Sequence, residues 1–270
     1  MGIELGSVQE TLLIPLYYRA TESMQEQPLF YDQAAVEILP ELDYDFSSFD
    51  SAWSLRNDVV VRTVIFDELV TDFIRRHPDG RVINLGAGLD ARFGRLDNGR
   101  IRWYDLDMPD SISLRQRFLM PTDRNAFISK SMFDTSWFDD VGADAPTLIV
   151  AEALFFYFDE ASIKNLLSKM LNRFPGAELV FQSICPEIVG RTKTVPILRR
   201  TRAELRWGIH SGRELSHWDP GYQFLGEWSL VDRFVERWRW YRLVKVLPYY
   251  GRFLREVMKI SHIRFATEST

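Results

Sequence analysis

Residues 81–97 read RVINLGAGLDARFGRLD. Arg81 to Leu85 is short and β-branched, as a buried strand requires. It runs directly into Gly86-Ala87-Gly88, where backbone without a Cβ can turn tightly and come close to a ligand. A strand, a glycine turn and a short helix in that order open a doubly wound α/β sheet, whose ligands bind at the carboxyl ends of the strands. Asp107 stands about 20 residues further on, at the end of the next strand, where a carboxylate can accept two hydrogen bonds from the ribose of an adenosine. Asp105 alternates onto the same face of that strand, so on spacing alone either acid reaches the sugar.

Upstream, apolar residues recur at helical spacing from Val59 to Arg76 (Val60, Val64, Phe66, Leu69, Val70, Phe73, Ile74), and Pro78, Asp79 and Gly80 stop that helix. Downstream, strands are expected over Arg100–Leu106, Phe127–Ser131, Thr147–Ala151 and Glu178–Ile184, with helices over Ser111–Met120 and Glu160–Phe174. Such alternation implies parallel strands joined by right-handed crossovers, with helices on both faces. Beyond Pro186 the rhythm breaks. Gly190 to Pro220 is rich in Arg and Trp and reads as a helical insertion; Tyr222–Trp228 then reads as a strand, Val231–Leu243 as a helix, and Ile260–Ala266 as a last strand closing one edge. The expected fold is a Rossmann-like α/β domain spanning 1–270, with a seven-stranded, mostly parallel sheet and an antiparallel edge strand. Its parts are a helical arm over 1–58, broken by Pro15, Pro28 and Pro40, a core over 59–186, an insertion over 187–220 and a C-terminal region over 221–270.

A net charge of −5 argues against a general nucleic-acid surface. The one cysteine, Cys185, excludes an internal disulfide, and with four histidines there is no cluster at metal-ligand spacing. The N-terminus has neither a basic start nor a long apolar run, and nowhere do about 18 uncharged apolar residues follow one another, so no signal, anchor or membrane span is expected. A cytosolic protein without a metal is the simplest reading.

The charge pattern around the glycines separates two cofactor classes. A nicotinamide or flavin enzyme places a pyrophosphate at this turn and normally carries a third glycine, where this chain has Ala91. Asp90 puts negative charge beside that place, which opposes a pyrophosphate and suits S-adenosylmethionine, a sulfonium cation without phosphate. Glu152 ends the fourth strand, within TLIVAEALFFYF, where it can attract the methionine amine or the sulfonium, or form a strand-end salt bridge.

Taken together, TLLIPLYYRATES (11–23), Val61-Arg62-Thr63, NLGAGLDARFGRLD (84–97), WYDLDMPDSISLRQRFL (103–119) and AEALFFYFDE (151–160) resemble the leucine carboxyl methyltransferase family. The likeness is to its bacterial branch of tetracenomycin-type polyketide O-methyltransferases. The resemblance implies a class I methyltransferase fold and S-adenosyl-L-methionine as cofactor. It implies that Arg19 and Arg62 hold the methionine carboxylate, for which a planar guanidinium is suited. It further implies that Gly86, Ala87 and Gly88 lie under the cofactor and that Asp107, after Leu106, takes the ribose. Ser131 and Met132 are then given the adenine edge, and Glu152 the amine. Two positions depart from the family pattern: the usual Asp-Thr-Arg is Asp90-Ala91-Arg92, and the usual Glu-Gly is Glu152-Ala153.

Methyl transfer from a sulfonium needs an aligned acceptor and excluded water more than it needs a base. A carboxylate acceptor arrives ionised, whereas a phenol needs help in losing its proton. Arg199, Arg200 and Arg202 of the insertion can clamp an acidic small-molecule acceptor, and Trp207, Trp218 and Tyr222 can stack on a ring; the same residues also read as a solvated face and core aromatics. A nicotinamide-dependent oxidoreductase and a catalytically silent binding protein remain as alternatives. The chain offers no convincing Tyr-x-x-x-Lys pair for the first, and no G-x-S-x-G elbow for a hydrolase. Oligomeric state is not encoded in any feature of the sequence.

Overall fold

The computed structural model describes residues 7–49, 52–190, 204–238 and 248–267. β1 (Arg81–Leu85) is an inner strand, buried along its whole length on both faces. It pairs in parallel with β2 (Arg102–Asp107) on one side and β4 (Thr147–Ala151) on the other. β3 (Asn125–Ser129) continues outward beside β2, and β5 (Glu178–Ile184) beside β4, again in parallel. With β6 (Tyr222–Ser229) and β7 (Met258–Phe265) the sheet has seven strands in the order β3-β2-β1-β4-β5-β7-β6.

Residues of the central strands alternate between two cores. Ile83, Leu85, Ile149 and Phe181 pack with α6 (Trp137–Val141) and α7 (Glu160–Arg173), while Val82, Leu148, Val150 and Val180 pack under α3 (Trp53–Arg76). Burying both faces is what makes the LIVA of β4 and the LVF of β5 unbroken apolar runs rather than alternating ones. A third cluster joins α1 (Ser7–Ser23), α2 (Gln33–Ile38) and the start of α3 through Leu13, Leu16, Tyr18, Ile38, Phe49 and Val59. Leu89 and Leu114 tie that arm to the sheet.

Several expectations are corrected. The last strand of the chain, β7, does not close the edge. It is inserted between β5 and β6, pairing antiparallel with both. The reason is burial: Ile260, Ile263 and Phe265 are fully covered, whereas β6 is mostly half-exposed and takes the edge. α1 runs through Pro15 without a break. The short helix after the glycine turn is α4 (Arg92–Leu96), and the helix expected over Ser111–Met120 is α5 (Pro109–Arg115), started by its proline. In place of a helix from Val231 the chain forms two 3-10 turns, Leu230–Asp232 and Val235–Arg237, separated by Phe234 at φ +50°. Residues 239–243 of that segment lie outside the described residues. The described parts of the insertion, 187–190 and 204–220, carry 3-10 stretches, Pro186–Ile188 and Gly212–His217, and no α-helix. No helix among the described residues is long and apolar enough to cross a membrane.

Candidate active site

The turn after β1 is held from below by the neighbouring strand. Gly86 and Gly88 adopt φ +65° and +48°, conformations that favour glycine. The N–H groups of Gly86 and Ala87 donate to the Leu106 carbonyl at 2.8 and 3.1 Å. Gly88 N–H donates to Asp107 Oδ2 at 2.7 Å, and Met108 N–H to Asp107 Oδ1 at 2.7 Å. Burial pushes the Asp107 carboxyl up, against the pull of those two backbone donors. Asp105 is closed to any ligand: it is 1% exposed and takes hydrogen bonds from Arg115 at 2.6 Å, Trp103 at 3.0 Å and Asn84 at 3.1 Å. Of the two acids left open by strand alternation, only Asp107 therefore sits at the turn.

Above the turn, at the carboxyl ends of β1, β4 and β5, lies a cavity of about 150 Å³. Its wall brings together Arg19, Arg62, Gly86, Ala87, Gly88 and Glu152, six of the residues singled out by the sequence. A buried chain of ion pairs links them. Arg62 Nε meets Glu152 Oε1 and its Nη1 meets Asp58 Oδ2, both at 2.8 Å. Arg92 joins Glu152, Asp90 and Asp67, each at 2.6 Å. Arg95 continues to Asp32 at 2.8 Å, and Arg19 ends the chain on the same Asp32 oxygen at 2.8 Å while donating to the Leu89 carbonyl at 2.9 Å. Burial alone would raise Glu152, but the Arg92 and Arg62 guanidiniums outweigh it and hold the carboxyl below its ordinary range.

The other candidates lie off the cavity wall. Leu106 belongs to the core, and Asp107 holds the turn through Gly88. Ser131 and Met132 follow β3, where Lys130 N–H donates to the Asp107 carbonyl at 3.0 Å; the Met132 side chain belongs to the core. Trp207 and Tyr222 are corrected to core residues, 2% and 3% exposed, Trp207 between Phe181 and Trp218 and Tyr222 against Phe265. Aromatic side chains bury large area, and here the core takes it. Trp218 is partly buried against that same cluster. Arg199, Arg200 and Arg202 lie outside the described residues.

Asp58, Arg92, Tyr157 and Gln182 were not singled out by sequence reasoning. Asp58 precedes Arg62 by one helical turn, a spacing that could have exposed the pair. Gln182 is an amide in a strand buried along its whole length, a pattern that also carries a signal.

Ala153, where the family pattern has glycine, adopts φ +49° on the cavity wall. A Cβ in that region costs about 1–2 kcal/mol, partly offset by the smaller chain entropy of alanine in the unfolded state. Ala153→Gly is accordingly expected to raise stability by roughly 0.5–1 kcal/mol. Urea unfolding checks this, and a destabilised variant would show that the conformation is not strained.

The strand order, the antiparallel β7 and the glycine turn bound to an acid of the adjacent strand define a class I methyltransferase fold. It is shared with the solved structures of a DUF574 family protein from Streptomyces avermitilis (TM-score 0.59, 14% identity, 94% of this chain and 97% of that one) and of a putative methyltransferase from Thermobifida fusca (TM-score 0.58, 12% identity, 93% and 94%). Residues 13–171 match the Leucine carboxyl methyltransferase family, and the chain belongs to that family. It is 35% identical, over 87% of its own length and 90% of the relative's, to the tetracenomycin polyketide synthesis O-methyltransferase TcmP of Streptomyces glaucescens. It is 26% identical, over 82% of each, to the S-adenosyl-L-methionine-dependent methyltransferase dpfgK of Gibberella zeae.

Proposed function

We propose that the chain is an S-adenosylmethionine-dependent O-methyltransferase acting on a small molecule of polyketide type. The observation that carries this reading is the Gly88 N–H bound to Asp107 beside a cavity walled by Arg62 and Glu152. The donor set suits the cofactor: guanidiniums of Arg19 and Arg62 for its carboxylate, carboxylates of Glu152 and Asp58 for its ammonium, and backbone without side chains at Gly86 and Gly88 for its adenosyl group. Asp107 is assigned to the ribose, and Ser131 and Met132, beyond β3 and next to the Asp107 main chain, to the adenine edge. When bound, the cofactor supplies a methyl group already activated on sulfur. The protein's part is to orient the acceptor against it and to keep water out, for which the apolar stretch Leu55, Val59 and Phe156 of the cavity wall is suited. The likeness to TcmP supports oxygen as the atom methylated and a polyketide-like acceptor.

Titration calorimetry with S-adenosylmethionine, S-adenosylhomocysteine and NAD tests the reading. The first two are expected to bind and NAD is not. Asp107→Ala should weaken the first two by about 1–3 kcal/mol through loss of hydrogen bonds to the sugar. Unchanged affinity in the variant would remove Asp107 from the ribose, and binding of NAD alone would discard methyl transfer.

A further inference from the structure

The charged part of the cavity wall is taken by the cofactor reading above, and the wall at the end of β5 is apolar. Phe156, Ile184 and Leu205 form a small buried cluster of their own there, with Ala153, Tyr157 and Met258 packed against it, and all six line the cavity. Tyr157 borders Arg62 and Asp58, and burial pushes its hydroxyl up to about 12, so it brings no charge. Leu205 is the one described residue of the insertion on this wall. Three side chains of its segment are buried, but Trp207 and Ile209 enter the main core, while Leu205 stays out of it and lines the cavity. The main chain around Leu205 is stitched in place. Gly190 N–H donates to the Leu205 carbonyl at 2.9 Å, Arg206 N–H to the Phe156 carbonyl at 2.8 Å, and Ile209 N–H to the Ile184 carbonyl at 2.9 Å. Gly208 lies so close to β5 that a Cβ on it would stand 2.7 Å from the Ile184 carbonyl oxygen.

Resting on the methyl-transfer reading above, we propose that this apolar end of the cavity holds the ring body of the acceptor, and that Leu205 sets how large that body can be. Ala153 follows Glu152 directly, so the apolar end adjoins the place assigned to the cofactor's ammonium. A charge buried among Phe156, Ile184, Leu205 and Met258 is costly, whereas an uncharged ring gains by leaving water. The acceptor is therefore a molecule whose reacting oxygen stays beside the polar wall and whose remaining body is apolar. Where that oxygen belongs to a carboxylate, it bonds to the methyl carbon as the S–C bond breaks, the electron pair of that bond stays on sulfur, and no proton moves. Because the main chain on both sides of Leu205 is fixed to Phe156 and β5, a new side chain there changes the room at this end and not the path of the insertion. Leu205 selects among acceptors and takes no part in the bond changes.

The test is methyl transfer to benzoate, 2-naphthoate and anthracene-2-carboxylate, which share one reacting group and differ in ring number, with affinity for S-adenosylhomocysteine measured alongside. Leu205→Ala is expected to raise kcat/KM for the anthracene acid relative to the naphthalene acid by at least about 10-fold, the scale on which apolar pockets discriminate size. Leu205→Phe should shift selection the other way, raising benzoate relative to 2-naphthoate by a similar factor, and Leu205→Met, of nearly equal volume, should keep the wild-type order. Leu205→Val replaces the alanine variant if that one does not fold. Affinity for S-adenosylhomocysteine should stay unchanged throughout. Lost packing alone would lower all three acids together, so opposite shifts in the small and large variants distinguish selection from a structural role. Ratios within about 2-fold of the wild type in both variants, shifts in the same direction, or no turnover of any of the acids by a wild type that binds S-adenosylhomocysteine overturns the proposal and leaves the cofactor reading intact. Failure of the wild type to bind S-adenosylhomocysteine overturns both.

Discussion

Replacing Arg92 with alanine is expected to lower the unfolding free energy by about 3–5 kcal/mol, the range for removing one member of a buried ionic network. Arg92 is 1% exposed and touches Asp67, Asp90 and Glu152, so its loss takes a guanidinium from three carboxylates that are mostly, though not fully, covered. A useful control is Arg75→Ala. That side chain is 79% exposed and among the described residues pairs only with Asp72, so little more than about 0.5 kcal/mol should be lost. The pH dependence follows from the same contacts. Burial would raise Asp90 and Glu152, but Arg92 with its neighbours Arg95 and Arg62 depresses both. A depressed carboxyl contributes stability that is complete above its unfolded value and is lost as pH falls through the folded one. Arg92→Ala should therefore narrow the difference in stability between about pH 7 and about pH 4. Urea unfolding at the two pH values measures both effects, and a variant within 1 kcal/mol of the wild type would show that the network carries no weight.

Arg115→Ala is the second large effect, also about 3–5 kcal/mol, but with a consequence at the turn. The guanidinium lies 4.6 Å from the Phe127 ring centre, pairs with Asp105 at 2.6 Å and donates to the carbonyls of Gly88 and Asp90 at 3.0 and 2.7 Å. It anchors the glycine turn to the sheet from beneath. Removing it should weaken binding of S-adenosylhomocysteine as well as stability, although Arg115 is not on the cavity wall. Adding Asp105→Asn removes the stranded charge and should restore part of the stability but not the affinity, because the two carbonyls stay unanchored. If the single variant binds and unfolds like the wild type, the turn is held by Asp107 and Leu106 alone.

These two arginines also show where local reading stops. RVINL, TLIVA and ELVFQSI are buried on both faces, so their apolar runs report strands directly, and the glycine turn follows from position. Arg92 and Arg115 read in sequence as polar surface. They are buried only because partners on other elements, Asp67 and Glu152 for Arg92 and Asp105 for Arg115, fold onto them. The segment from Val231 misleads for another reason. Val231, Phe234 and Val235 do pack against the core under α3, but through successive 3-10 turns whose apolar spacing imitates a helix. Trp207 and Tyr222 carry the remaining ambiguity: an aromatic ring in an irregular segment fits a ligand wall and a core equally well, and only packing against Phe181 and Phe265 decides.

Leu12 of α1 rests against the glycine turn, its Cδ2 2.9 Å from where a Cβ on Gly88 would stand. The cavity beneath the arm, about 150 Å³, is also smaller than the roughly 300–1,000 Å³ typical of small-molecule sites. A ligand atom seated where that Cβ would stand displaces this leucine, so its apparent affinity is the intrinsic one multiplied by the fraction of molecules in which Leu12 is already turned away. Stiffening or loosening the joint between arm and sheet would then tune saturation and on-rate without altering a single contact to the guest.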